Sequence, residues 1–131
     1  MPTPGPGQVV IRVEGAGFCH SDLHVISGDI RILPRMPLIL GHENAGTVQA
    51  IGHGVHAVKE GDRVAVYGAW GDGFCDYCVA GEENLCPTMQ WVGLSQHEGG
   101  YAEYLLGPQE RYWCRCTRSS PRWPRRSPTR R

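Results

Sequence analysis

Three cysteines stand at intervals of three and eight in the segment Gly71-Asp72-Gly-Phe-Cys75-Asp-Tyr-Cys78-Val-Ala-Gly-Glu-Glu-Asn-Leu-Cys86. That spacing lets one loop wrap a single ion with thiolate sulfurs about 2.3 Å from it. Three ligands leave a tetrahedral structural site one short. Asp72 lies three residues before Cys75, continuing the Cys-x-x-Cys step backwards, and a carboxylate oxygen can complete the set. A second group is split between Cys19-His20-Ser21-Asp22-Leu23-His24 and Gly41-His42-Glu43. Cysteine, histidine and a carboxylate are the mixed ligands that a catalytic zinc uses when one position stays open for water or substrate. Spacing alone leaves this second group undecided, because a lone cysteine and a lone histidine some twenty residues apart are also ordinary core residues.

These residues need a scaffold of short strands and turns. The chain has 131 residues, with 18 glycines and 10 prolines, and its apolar runs are short and rich in Val and Ile. One mainly β domain is expected. Residues 8–17 alternate, with Val9, Ile11 and Val13 on one face and Val10, Arg12 and Glu14 on the other. Residues 45–51, 62–67 and 101–106 read as further strands, separated by glycine-rich turns, with a helical turn at 21–26. His53, His56 and His97 fall in turns and read as solvated loop residues. Trp70 and Trp91 flank the cysteine loop and read as packing or as the wall of a substrate channel.

No run approaches the roughly 18 apolar residues of a membrane span, and the N-terminus has neither the basic nor the apolar region of a signal peptide. The expectation is a cytoplasmic protein with no membrane partner, whose six cysteines are metal ligands or free thiols rather than disulfides.

The formal net charge of zero hides a division. Residues 1–110 hold all thirteen acids and only five bases, for −8, while residues 111–131 hold eight arginines and no acid, for +8. From residue 111 the sequence has no strand or helix period and is biased to Arg, Pro, Ser, Cys and Trp. A shift of reading frame near Pro108, a natural disordered tail, or a nucleic-acid-binding arm would each produce such a segment. On each of these readings the folded domain is residues 1–108, and 109–131 is an arginine-rich disordered or out-of-frame tail that should not pack.

Gly41-His42-Glu43-x-x-Gly46, followed after five residues by Gly52 and after two more by Val55, resembles the zinc-containing alcohol dehydrogenase signature of the medium-chain dehydrogenase/reductase superfamily. Cys19-His-Ser-Asp-Leu-His24, Val58-Lys-Glu-Gly-Asp-Arg-Val64, the cysteine loop and Gly99-Gly-Tyr-Ala-Glu-Tyr104 agree with it in the family's order. The resemblance spans residues 4–108. It implies a GroES-like β-barrel with short helical turns, followed in full-length relatives by a Rossmann domain that binds NAD or NADP. No Gly-x-Gly-x-x-Gly after a strand occurs here, so that domain is read as missing.

By matching position, Cys19 and His42 would hold the catalytic zinc, with Glu43 as a close or alternating ligand. Asp22 would orient the His42 imidazole. Ser21 would take the proton from the zinc-bound alcohol, His24 would pass it to solvent through the cofactor ribose, and His20 would contact the cofactor pyrophosphate. Asp72 replaces the family's usual first cysteine in the structural zinc set of Asp72, Cys75, Cys78 and Cys86. The family's remaining ligand to the catalytic zinc falls beyond the point where the resemblance ends, and Cys114 and Cys116 do not match it. The chain also opens where full-length relatives carry a leading strand, so an unpartnered barrel edge is expected.

The resemblance therefore implies an oxidoreductase polypeptide that in full-length form oxidises a small alcohol to an aldehyde or ketone, in relatives that are homo-oligomers. This chain itself reads as a truncated catalytic domain without turnover. The alternative is a non-catalytic zinc-binding remnant stabilised by a structural zinc. A nucleic-acid-binding zinc module fits the tail charge but explains neither Cys-His-Ser-Asp-Leu-His nor Gly-His-Glu.

Overall fold

A computed structural model of the chain describes residues 1–30 and 36–116. Among the described residues seven strands appear in chain order, β1 (Val9–Gly17), β2 (Glu43–Ile51), β3 (Arg63–Val66), β4 (Ala69–Trp70), β5 (Gln90–Trp91), β6 (Tyr104–Gly107) and β7 (Trp113–Arg115). Two short helices, α1 (His20–Ser27) and α2 (Asp76–Val79), interrupt them. The mainly β reading stands, and no helix among the described residues is long and apolar enough to cross a membrane.

Five strands form one antiparallel sheet in the order β6-β1-β2-β3-β7, and β4 pairs with β5 separately. The alternation read in residues 8–17 places Val9 and Ile11 in the core, but Val10 is equally inaccessible. Register shifts in the β1–β2 ladder between Val10 and Ile11, and between Val13 and Gly15, break the strict two-residue period. Bulges of this kind increase the local bend and twist, and the sheet coils round one apolar cluster. Val9 and Ile11 of β1, Val48 of β2, Val64 of β3, Leu105 of β6 and Trp113 of β7 all belong to it. The two edge strands approach each other closely enough that a Cβ on Gly107 would run into the Trp113 indole.

The boundary at residue 108 requires correction. Residues 109–116 pack: β7 pairs antiparallel with β3, with Val64 opposite Arg115 and Val66 opposite Trp113. Tyr112 and Trp113 are 4% and 6% exposed and sit in the main core cluster. Backbone bonds from Tyr67 N to Tyr112 O (2.9 Å) and from Cys116 N to Arg63 O (2.8 Å) close the ladder. A three-residue strand is too short to show a period in sequence, and two large aromatic side chains anchor it despite the arginines around them. The rest of the expected tail, 117–131, lies outside the described residues.

His97 also departs from expectation. It is half-buried and its ring meets the buried Trp70 edge-on at 5.0 Å, and Tyr112 packs on the same indole at 5.3 Å. Trp70 is thus a packing residue, while His53 and His56 are exposed.

Candidate metal centres

The end of β1 and the start of β2 are paired, with Gly17 opposite Glu43 and Ala16 opposite Asn44. This register places Cys19, two residues past β1, beside His42, one residue before β2. Cys19 also caps α1: its backbone N–H donates to Asp22 Oδ2 at 3.0 Å, and the helix closes at Gly28 in the left-handed region, whose N–H reaches Val25 O at 3.2 Å. One potential ligand atom from each of Cys19, His42 and Glu43 lies within 4.8 Å of the others. Ser21 Oγ is 3.6 Å from Cys19 Sγ.

Asp22 is completely buried. Its Oδ2 accepts hydrogen bonds from Cys19 N–H and from Tyr101 OH (2.8 Å), and its Oδ1 is 3.6 Å from His42 Nδ1. Neither of those last two atoms has another hydrogen-bond partner among the described residues. A buried carboxylate facing one imidazole nitrogen directs the ring proton to that nitrogen and leaves the other lone pair for a ligand bond, so the donor set fits a zinc ion.

Tyr101 lies in the motif Gly-Gly-Tyr-Ala-Glu-Tyr, whose spacing gives it no role. Its hydroxyl lies 3.0 Å from Gly17 O as well as on Asp22. Burial, and then the hydrogen bond and charge of Asp22, push its phenol up to about 12. Its ring also explains Gly41: that residue has φ 98°, and a Cβ there would sit 2.8 Å from Tyr101 Cδ1. An aromatic residue straight after a Gly-Gly pair was the available signal.

The remaining helix residues point elsewhere. His24 Nδ1 is 3.2 Å from Asp29 Oδ2, and its ring stacks on exposed His20 at 4.7 Å. The Ser27 hydroxyl, and then His24, hold the Asp29 carboxyl below its ordinary value. A cleft of about 160 Å³ is lined by Ser21, Val25, Ile30, Trp91 and Leu94, so its one hydroxyl is that of Ser21.

The cysteine loop forms the second centre. Ligand atoms of Asp72, Cys75, Cys78 and Cys86 all lie within 4.8 Å of one another. Asp72 organises the loop as well as facing its centre: Oδ1 accepts from Phe74 N and Cys75 N, both at 2.9 Å, and Oδ2 accepts from Thr88 OH at 2.9 Å. The Cys75 and Phe74 amides hold the Asp72 carboxyl well below the usual carboxylate range. Burial pushes the Cys78 thiol up to about 12, whereas the Thr88 hydroxyl lowers Cys86. Gly71 forms the floor, since a Cβ there would meet Cys78 Sγ inside 3.0 Å and Cys86 Sγ at 3.4 Å. Three soft thiolates and one carboxylate in a closed cluster fit a structural zinc. Exposed Cys114 and Cys116 join neither cluster, and none of the six cysteines is in a disulfide.

The alcohol dehydrogenase GroES-like domain family matches residues 5–115, which agrees with the packing of the segment after 108. An alcohol dehydrogenase of Moraxella sp. (strain TAE123) is 46% identical over 109 residues, 81% of this chain and 31% of that protein. An NAD-dependent alcohol dehydrogenase of Sulfurisphaera tokodaii is 41% identical over 127 residues, 92% of this chain and 36% of that protein. Among solved structures, a cobalt- and zinc-bound thermostable alcohol dehydrogenase from Pyrobaculum aerophilum superposes with a TM-score of 0.80 at 38% identity, covering 91% of this chain and 36% of that one. This chain thus spans about a third of the length of these relatives. With a match over 5–115 and a shared fold, the chain belongs to the alcohol dehydrogenase GroES-like domain family.

Proposed function

We propose that this chain is the zinc-binding catalytic domain of a zinc-dependent alcohol dehydrogenase, which oxidises an alcohol to an aldehyde or ketone when a nucleotide-binding domain supplies NAD or NADP. The observation that carries this reading is the convergence of Cys19, His42 and Glu43, with buried Asp22 behind the imidazole and Ser21 beside the thiol. A zinc ion held by Cys19 and His42, with Glu43 close by, would act as a Lewis acid toward an alcohol oxygen. The chain's own residues do the rest of the positioning. Asp22 keeps the imidazole proton on Nδ1, and the Val25, Trp91 and Leu94 wall presents an apolar substrate to the Ser21 hydroxyl. The Ser21 hydroxyl would take the alcohol proton as its own proton leaves, by way of the cofactor ribose, for His24. Asp29 on His24 Nδ1 leaves Nε2 as the acceptor that passes a proton to solvent, and exposed His20 contacts a pyrophosphate.

The loop of Asp72, Cys75, Cys78 and Cys86 holds a structural zinc. Its four donors make a closed site, whereas Cys19, His42 and Glu43 leave one open. Metal analysis of purified protein should therefore approach one tightly held zinc per chain, with the second lost on mild dialysis. A non-catalytic zinc-binding domain is the second reading, favoured by the completeness of the cysteine loop.

The deciding experiment joins this chain to the nucleotide-binding part of the Sulfurisphaera tokodaii enzyme and follows reduced nicotinamide with primary, secondary and benzylic alcohols. Zinc-dependent turnover abolished by Cys19→Ser and by His42→Ala supports the catalytic reading. A hybrid that binds zinc and NAD but turns over no alcohol favours the second. The isolated chain should show no rate, because hydride transfer needs a nicotinamide held within about 3.5 Å of the reacting carbon.

A further inference from the structure

Arg111 and Tyr112 fall in the segment whose sequence showed no periodic pattern, and both reach the cysteine loop. Tyr112 OH donates to Gly71 O at 2.9 Å and Arg111 Nη2 donates to the same oxygen at 3.3 Å. Arg111 Nη2 also bonds to Tyr112 OH, and the guanidinium lies over the Tyr112 ring, 4.7 Å from its centroid. On the loop side, Arg111 Nη1 pairs with Glu83 Oε1 at 3.4 Å, while Glu83 Oε2 accepts from Gly71 N at 3.4 Å. Both backbone polar groups of Gly71 are therefore held, its carbonyl by the segment leading into β7 and its N–H by a residue of the loop.

Gly71 is the residue before Asp72, and a Cβ on it would run into Cys78 and Cys86. Fixing it fixes where the Asp72 carboxylate starts and where two sulfurs stop. On the reading of this loop as a zinc site, we infer that Arg111 and Tyr112 are positioning residues for the metal, acting through Gly71, and that metal binding and docking of β7 stabilise each other. The coupling is reciprocal: whatever factor β7 docking contributes to metal affinity, the metal returns to β7 docking.

The test uses the full chain and zinc alone as ligand, with affinity measured by competition against a chromophoric chelator. Tyr112→Phe keeps the ring in the core and removes only the hydroxyl; Arg111→Met keeps an apolar stem over that ring. Each should weaken zinc binding about 10-fold, the lower end of what outer partners of a metal ligand contribute. The double variant should lose less than the product of the two, since both donors serve one carbonyl. Arg115→Ala is the control. It lies in β7 but pairs with Asp62 at 3.8 Å, away from the loop, so it should leave zinc affinity unchanged within about twofold.

The reciprocal arm is amide hydrogen exchange. Removing zinc from the wild type should speed exchange at Tyr67 and Cys116, whose N–H groups bond to Tyr112 O and Arg63 O, by the same factor, and leave the β1–β2 amides unchanged. Cobalt substitution supplies a spectroscopic check: the thiolate-to-cobalt bands of Arg111→Met should shift, and those of Arg115→Ala should not. Wild-type affinity retained by both clamp variants overturns the inference. So does zinc-independent exchange at Tyr67 and Cys116. A wild-type chain giving no thiolate-to-cobalt bands removes the zinc reading itself, and the inference with it.

Discussion

Replacing Gly71 by alanine is the sharpest perturbation of the cysteine loop, because the structure states the clash before any energy is invoked. The added Cβ would lie inside 3.0 Å of Cys78 Sγ, 3.2 Å from Cys86 Cβ and 3.4 Å from Cys86 Sγ. Comfortable non-bonded carbon contacts begin near about 3.5 Å, so relief requires a sulfur displacement of at least about 0.5 Å. Metal–ligand distances tolerate only about 0.2 Å. A zinc-loaded loop would therefore have to surrender Cys78 as a ligand or open. Structural zinc sites bind with about 10–16 kcal/mol, and an equal share among four ligands is about 2.5–4 kcal/mol each. Losing one ligand then lowers affinity about 10²–10³-fold. Zinc affinity by chelator competition, with cobalt charge-transfer intensity as a count of bound thiolates, measures the effect. Gly15→Ala is the control: nothing lies within 4 Å of a Cβ there. Gly71→Ala retaining wild-type affinity within about threefold would refute the argument that Gly71 forms the floor of a closed metal site.

Further tests follow from the same contacts. Trp113→Ala should destabilise the fold by about 3–5 kcal/mol in urea titration, as removal of a large buried aromatic does, whereas a side chain in an unpacked tail would cost nothing. Tyr101→Phe removes the hydroxyl bond to Asp22 and should cost about 1 kcal/mol near neutral pH. Because the Tyr101 phenol is raised to about 12 in the fold against about 10 unfolded, its stabilisation is complete below pH about 10 and is lost as pH rises toward 12. Urea midpoints of the wild type should fall across that window more steeply than those of Tyr101→Phe. For Asp72 the sign is opposite: its depressed carboxyl contributes above the unfolded value of about 4, and the contribution is lost as pH falls through the lower folded value. Asp72→Asn keeps acceptors for Phe74 N and Cys75 N but removes the charge, so it should fold and bind zinc about 10–100-fold more weakly.

The cysteine loop was legible in sequence because its donors lie within 15 residues, and short-range spacing alone confines them to one loop. The strands were legible wherever one face alternated. Cys19 and His42 were not placed by spacing, since the residues between them could run in any direction; the motif resemblance joined them, and the β1–β2 register supplies the physical reason. No local spacing pairs Tyr101 with Asp22, or Arg111 and Tyr112 with Gly71: their partners are 79, 40 and 41 residues away, and each bond depends on how the sheet coils. The arginine-rich composition after 108 argued against packing. What reversed it was the burial of two aromatic rings and the vacant edge of β3, both properties of the assembled sheet and of no local stretch of sequence.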